Sequence, residues 1–156
     1  MHSVLLDTSF CIRLLKKDDN LHQNVIEYFQ HFLERKIDIY ISTIAIAEYS
    51  VKDDPANLPL KMMKIIPFDY FDAKIAGEFH AIIIEQKEIK SDLERNVIKD
   101  DCKLIAQLFN RKINSYITKD RRSFNQIIKP ITERKGFDIQ IIDLSIPLKE
   151  FKGELF

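Results

Sequence analysis

Short apolar runs alternate along this chain with longer stretches whose apolar residues recur at helical spacing. That order admits few folds. Strand and helix in repetition build βαβ units, whose strands lie parallel and whose helices cover the sheet. The expectation is therefore an α/β fold of three layers, α/β/α, around a central, mainly parallel sheet. Strands are expected at Val4 to Leu6, Ile37 to Ile41, Asn114 to Thr118 and Asp138 to Asp143, with a short one at Ile65 to Phe68. Helices are expected from Phe10 to Leu15, through Val25 to Leu33, through Ile44 to Lys52 with Ser42 and Thr43 as caps, and from Asp69 to Lys87 on a stripe of Ala73, Ala76, Phe79, His80 and Ile83. Further helices are expected from Asp100 to Phe109 and, briefly, from Ser123 to Ile128. The charged segment KEIKSDLERNVIK, from Lys87 to Lys99, reads as a solvated connection between helices.

In open parallel sheets, ligands gather beyond the carboxyl ends of the strands. Asp7 stands there, directly after the first strand and before Thr8 and Ser9. Asp120 repeats the arrangement after the strand ending at Thr118. Each acid, taken alone, reads as a helix cap. Two more acids lie on the apolar stripes of their helices. Glu48 is spaced one turn from Ile44, Ala45 and Val51, and Asp101 shares a face with Leu104, Ile105 and Leu108. A carboxylate so placed loses hydration and needs a cationic partner or a metal. Its neighbour Asp100 leaves the inward assignment open to a slip of one residue.

Four acids brought together would repel one another unless a divalent cation neutralised them. All-oxygen ligation suits Mg²⁺ or Mn²⁺, and the chemistry implied is metal-assisted phosphodiester hydrolysis.

Composition narrows the alternatives. A length of 156 residues with 46% hydrophobic content is expected to form one domain with a real core. Lysine plus arginine equals aspartate plus glutamate at 24 each, so any nucleic-acid surface must be local. Gly77, Gly136 and Gly153 cannot build a phosphate-cradling loop. Cys11 and Cys102 sit in helical apolar patterns and are expected as reduced, buried thiols, and His2, His22, His31 and His80 form no ligand motif and are expected as ordinary surface or boundary residues. With no signal-type start and no membrane-length apolar run, the expected location is the cytoplasm.

The strings LLDTSF, STIAIAEYS, VIKDDCKLIAQ and SYITKDRRSF, in that order, resemble the motifs of PIN-domain ribonucleases, and most closely those of VapC-type toxins from toxin–antitoxin pairs. The resemblance covers nearly the whole chain and implies a PIN-like fold. It puts Asp7, Glu48, Asp101 and Asp120 in the places of the metal-binding catalytic acids, and Thr8, Ser9 and Thr118 in those of supporting hydroxyls. It further implies a single-stranded or loop RNA substrate cut to 5′-phosphate and 3′-hydroxyl ends, a cognate antitoxin and a homodimer. Arg13, Lys16, Lys17, Lys103, Lys119, Arg121 and Arg122 flank these motifs and are candidates to position RNA phosphates, with Arg121 and Arg122 foremost. Two other readings remain: a PIN-like domain that binds RNA or protein without cleaving, and a metal-dependent phosphatase. Against the phosphatase, no acid follows Asp7 at the second position.

Overall fold

The computed structural model describes residues 1–86 and 92–155. Five strands form one sheet: β1 (Ser3–Leu6), β2 (Asp38–Ser42), β3 (Lys64–Ile66), β4 (Ser115–Thr118) and β5 (Gln140–Asp143). Their spatial order is β3-β2-β1-β4-β5, and every pairing is parallel. The sheet is thus the parallel one expected, and helices cover both faces. Among the described residues seven α-helices accompany it: α1 (Thr8–Leu15), α2 (His22–Glu34), α3 (Thr43–Tyr49), α4 (Tyr70–Gln86), α5 (Asp92–Asn110), α6 (Arg121–Lys135) and α7 (Leu148–Leu155).

Strand side chains alternate between faces, and the two cores divide accordingly. Leu6, Ile117 and Ile142 pack with Phe10, Phe29, Phe32 and Phe151 on the side of α1, α2 and α7. Leu5, Tyr116 and Ile141, each one residue earlier, pack with Phe79, Ile98, Ile105 and Phe124 on the side of α4, α5 and α6. The strand order reverses between β1 and β4, and a crevice opens at such a switch point. Asp7 and Asp120 follow those two strands.

Several expectations are corrected. The charged segment is not a connection over residues 92–99: α5 begins at Asp92, because Ile98, Cys102 and Ile105 carry one buried stripe through it. The rest of that segment, Lys87 included, lies outside the described residues. Helix α6 runs on past Ile128 to Lys135 with Pro130 inside it. Proline forfeits one backbone bond, yet Phe124, Ile127, Ile128 and Ile131 form a single buried face across it, and packing outweighs the missing bond. Gly136 ends the helix at φ 70°, the left-handed conformation that glycine adopts without a side-chain clash. On α4 the buried stripe begins with Asp72, while Ala73 is exposed. His31 is buried against Phe32 rather than at the surface. Cys11 and Cys102 are free and buried, and burial pushes both thiols up to about 12, with Asp7 acting on the first and Asp101 on the second in the same direction.

Candidate functional site: an acidic cleft at the strand switch point

Asp7 occupies the N-cap position of α1 and Asp120 that of α6, but neither side chain caps its helix. The bland explanation for both acids therefore fails on geometry. Asp7 turns its carboxylate sideways, where Oδ2 accepts from Ser9 Oγ at 2.6 Å and from Thr118 Oγ1 at 2.9 Å. The same hydroxyls also accept. Lys119 N–H donates to Ser9 Oγ at 3.1 Å, and Asp120 N–H donates to Thr118 Oγ1 at 3.1 Å. Asp7 N–H itself donates to Ile117 O at 3.1 Å. The loops after β1 and β4 are stitched together through two hydroxyl side chains, with Asp7 at the seam.

Helix α3 brings in the third acid. Ser42 caps it, its hydroxyl accepting from Ile44 N–H at 3.1 Å. Thr8 Oγ1 donates to Glu48 Oε2 at 2.8 Å, tying α3 to the first turn of α1. The reason expected for Glu48 needs correction. The helix stops at Tyr49 and Val51 is 79% exposed, so no apolar stripe runs past Glu48. Its residue surface is largely open, while its carboxylate faces the cleft. Loss of hydration, then the charges of Asp7 and Asp100, raise its pKa against the lowering effect of the Thr8 bond.

Asp101 arrives from α5, half-buried, whereas Asp100 is exposed and pairs with Lys103 at 3.6 Å. Among the described residues nothing hydrogen-bonds or ion-pairs with the Asp101 carboxylate. Its pKa is raised to about 7, first by burial and then by the charges of Asp7, Asp100, Asp120 and Glu48. These groups line one cleft of about 640 Å³ with Thr8, Ser9, Thr118, Arg13 and Lys119. Tyr116 lines it as well. Its phenol is pushed well above the usual range, first by burial and then by the charges of Asp7 and Asp101.

Sequence reasoning passed over Tyr116, although its position two residues before Thr118 puts both on one strand face. Val97 and Ile12, apolar lining residues, were also missed. Val97 precedes Asp101 by four residues, a helical spacing that would have flagged it. Arg121 and Arg122 are not among the lining residues. Arg121 instead lies over the Phe151 ring at 5.4 Å, and Arg122 is exposed. Nearness to Asp120 in sequence does not place either side chain in the cleft wall.

The donors that converge are carboxylate and hydroxyl oxygens, the chemistry that suits a hard divalent cation. Among the described residues no three His, Cys, Asp or Glu side chains stand close enough to hold an ion as they are. Mg²⁺ keeps several waters and takes only one or two carboxylates directly, so loosely gathered acids still fit it.

No protein-family model matches the chain, and no curated protein sequence does. Solved structures do. A chain of VapBC2 from Rickettsia felis, in a complex with a promoter DNA fragment, is similar over 90% of this chain and 99% of that one, with TM-score 0.60 and 18% identity. FitAcB from Neisseria gonorrhoeae is similar over 91% and 98%, with TM-score 0.62 and 21% identity. DNA-bound VapBC from Salmonella typhimurium is similar over 92% and 99%, with TM-score 0.60 and 19% identity. At these identities the likeness is one of fold, and the fold is PIN-like.

Proposed function

We propose that this chain is a divalent-metal-dependent endoribonuclease acting as the toxin of a type II toxin–antitoxin pair. One observation carries the reading: a half-buried Asp101, without a partner among the described residues, faces Asp7, Glu48 and Asp120 across the switch-point cleft. An acid kept in that state, with no cation among the described residues paired to it, is a liability unless an ion completes it. Asp7, Asp101, Glu48 and Asp120 would hold Mg²⁺ or Mn²⁺. When bound, such an ion supplies charge against the scissile phosphate and acidifies an attacking water.

The chain's own residues do the rest. Ser9 and Thr118 both donate to Oδ2 of Asp7, so this carboxylate keeps one orientation as substrate arrives. Thr8 does the same for Glu48. Ile12, Val97 and Leu104 give the cleft its apolar wall, and beside the half-buried Asp101 such a wall strengthens electrostatic interactions. No side-chain nucleophile is required, and neither buried cysteine offers one.

The fold likeness to VapBC and FitAcB assemblies supports a partner protein, and the toxin reading assigns that role to a cognate antitoxin, alongside a second copy of the chain. RNA is the substrate. No helix among the described residues is long and apolar enough to cross a membrane, which fits a cytoplasmic toxin. A second reading, a PIN-like domain that binds without cutting, is favoured by the looseness of the acids as they stand.

The experiment that separates them incubates purified chain with structured RNAs, with and without Mn²⁺, beside Asp7→Asn and Asp101→Asn. The nuclease reading expects metal-dependent cleavage by the unaltered chain and loss of about a hundredfold or more in both variants, the size of effect seen when transition-state charge stabilisation is removed. Equal cleavage by all three would mark a contaminant and remove the reading. Binding of RNA with no cleavage in Mn²⁺ would establish the second one.

A further inference from the structure

Seven cations flank the acid motifs, and the structure sorts them. Lys103 is paired with Asp100, Arg121 lies over Phe151, and Lys16 lines a neighbouring groove beside Tyr49. Lys17 and Arg122 line neither hollow. Only Arg13 and Lys119 stand in the wall of the acidic cleft. They differ in one respect. Lys119 is exposed, whereas the Arg13 side chain is only 16% exposed.

Arg13 is also held from two sides. Its Nη1 donates to Ser9 O, one turn back on α1, at 3.0 Å, and its Nε lies 3.4 Å from Asp19 Oδ1. The Nε contact is an ion pair without hydrogen-bond geometry, and that buried nitrogen has no hydrogen-bond partner. Nη2 bonds to nothing among the described residues, and none of the four cleft acids is in ion-pair range of the guanidinium. The carbonyl of Arg13 faces His22 Nδ1 at 2.7 Å, which fastens the backbone beneath it to the start of α2. A long cationic side chain is ordinarily left free at a surface, because ordering it costs rotamer entropy. Here that entropy has already been lost, at the edge of a cleft that otherwise repels polyanions.

We propose that Arg13 is the phosphate anchor of this cleft: its preordered guanidinium takes an RNA phosphate next to the one at the acids, and Asp19 sets its orientation. The inference rests on the ribonuclease reading for its substrate class. A planar guanidinium with free N–H groups matches a phosphate in a way lysine does not. Asp19 competes with the incoming phosphate for the same cation. The two members of one ion pair therefore act on RNA in opposite directions.

The test uses fluorescence anisotropy of a fluorescein-labelled single-stranded RNA oligonucleotide, on the full chain carrying Asp101→Asn so that the RNA stays whole. Arg13→Met is expected to weaken binding about tenfold and to reduce the salt dependence by about one phosphate contact. Arg13→Lys should recover part of the affinity, and Asp19→Asn should tighten binding two- to threefold. Arg134→Met, which breaks a surface pair with Glu85, is the control.

A purely structural ion pair makes the contrary forecast, since Arg13→Met and Asp19→Asn would then weaken RNA binding alike. That result, or an Arg13→Met variant that matches the control, overturns the proposal. Cleavage in Mn²⁺ by the chain with its acids intact is read separately. Cleavage together with Arg13-independent binding sinks the anchor alone, and Arg13-dependent binding without cleavage sinks the ribonuclease reading alone. RNA that does not bind at all sinks both.

Discussion

Two inward-facing carboxylates, on helices that pack against each other, have opposite surroundings. Asp72, at the start of α4, is 0% exposed, yet it is fully furnished. Asn110 Nδ2 donates to it at 2.7 Å, Arg111 Nη2 at 3.1 Å, Asp69 N–H at 3.2 Å and Gln107 Nε2 at 3.3 Å. Burial alone would raise its pKa, but the bonds from Asn110, Arg111, Asp69 and Gln107 outweigh it and hold the carboxyl below the usual value. Asp101, on α5, is less buried but has no partner among the described residues, and its pKa is pushed up to about 7. Depth alone does not mark a functional acid. What separates the two is whether the chain completes the charge or leaves that to something from outside.

Removing the furnished acid should have the largest effect on stability. Asp72→Ala strands the donors of Asn110, Gln107 and Arg111 in a buried corner, and breaking such a pair costs about 3–5 kcal/mol. Arg111 is 28% exposed and keeps Asp69 at 3.2 Å, so the lower end, about 3 kcal/mol, is expected from urea unfolding. If the proposed site holds Mn²⁺, the ion should raise the melting temperature of the unaltered chain, and the contrast with Asp101 requires that the surviving folded Asp72→Ala protein keep that rise. If that rise vanishes, the two acids are not independent and the division drawn here is wrong.

Asp101→Asn should do the reverse: it removes cleavage and stabilises the metal-free fold near neutrality. Unfolded, Asp101 titrates near 3.8, and folded near 7. Between these values the folded chain holds a proton that the unfolded chain has released, so each step up in pH favours unfolding; below 3.8 and above 7 the slope from this group vanishes. Asp72, with its lowered pKa, has the opposite sign. Its contribution is complete above the ordinary carboxylate value and is lost as pH falls through the folded one. Melting curves of the metal-free protein from pH 4 to pH 8 should therefore show wild type losing ground to Asp101→Asn as pH rises, with the variant melting higher at pH 7.5. A variant that melts lower there would mean that Asp101 is completed within the chain, as Asp72 is.

The sequence exposed one of these acids and hid the other. Asp101 was legible because it interrupts a stripe of Leu104, Ile105 and Leu108, and Asp7 because it ends an apolar strand. Asp72 was not, since its nearest sequence neighbours Tyr70 and Phe71 suggest an apolar face and are in fact 73% and 64% exposed. Apart from Asp69, its partners are Gln107 and Asn110 on α5 and Arg111 just after it, 35 to 39 residues away, a distance that periodicity does not span. The strands and the parallel sheet followed from local pattern. The start of α5 and the end of α6 did not, because in both the deciding factor was burial against other elements: Ile98 beneath a charged surface, and Ile131 beyond Pro130. Helix α7 carries its buried Phe151 among charged neighbours and gave no periodic signal long enough to read.

The smallest effect belongs to the hydroxyl seam between the loops. Thr118 donates to Asp7 Oδ2 and accepts from Asp120 N–H, and Thr118→Val keeps its shape while removing both bonds. Asp7 retains Ser9, and Asp120 is exposed enough for water to reach its N–H, so the loss of stability should stay near 1 kcal/mol. A carboxylate freed to turn holds an ion less well, and losing an orienting partner typically weakens metal binding about 10-fold or more. Thr132→Val is the matched control, because among the described residues that hydroxyl bonds only to Lys129 O, at 3.0 Å on α6. If Thr118→Val lowers the melting temperature but leaves the Mn²⁺ titration midpoint where Thr132→Val does, the seam belongs with Asp72 as a staple of the fold, and the boundary between the two kinds of acid must be redrawn to exclude Asp7 from the site.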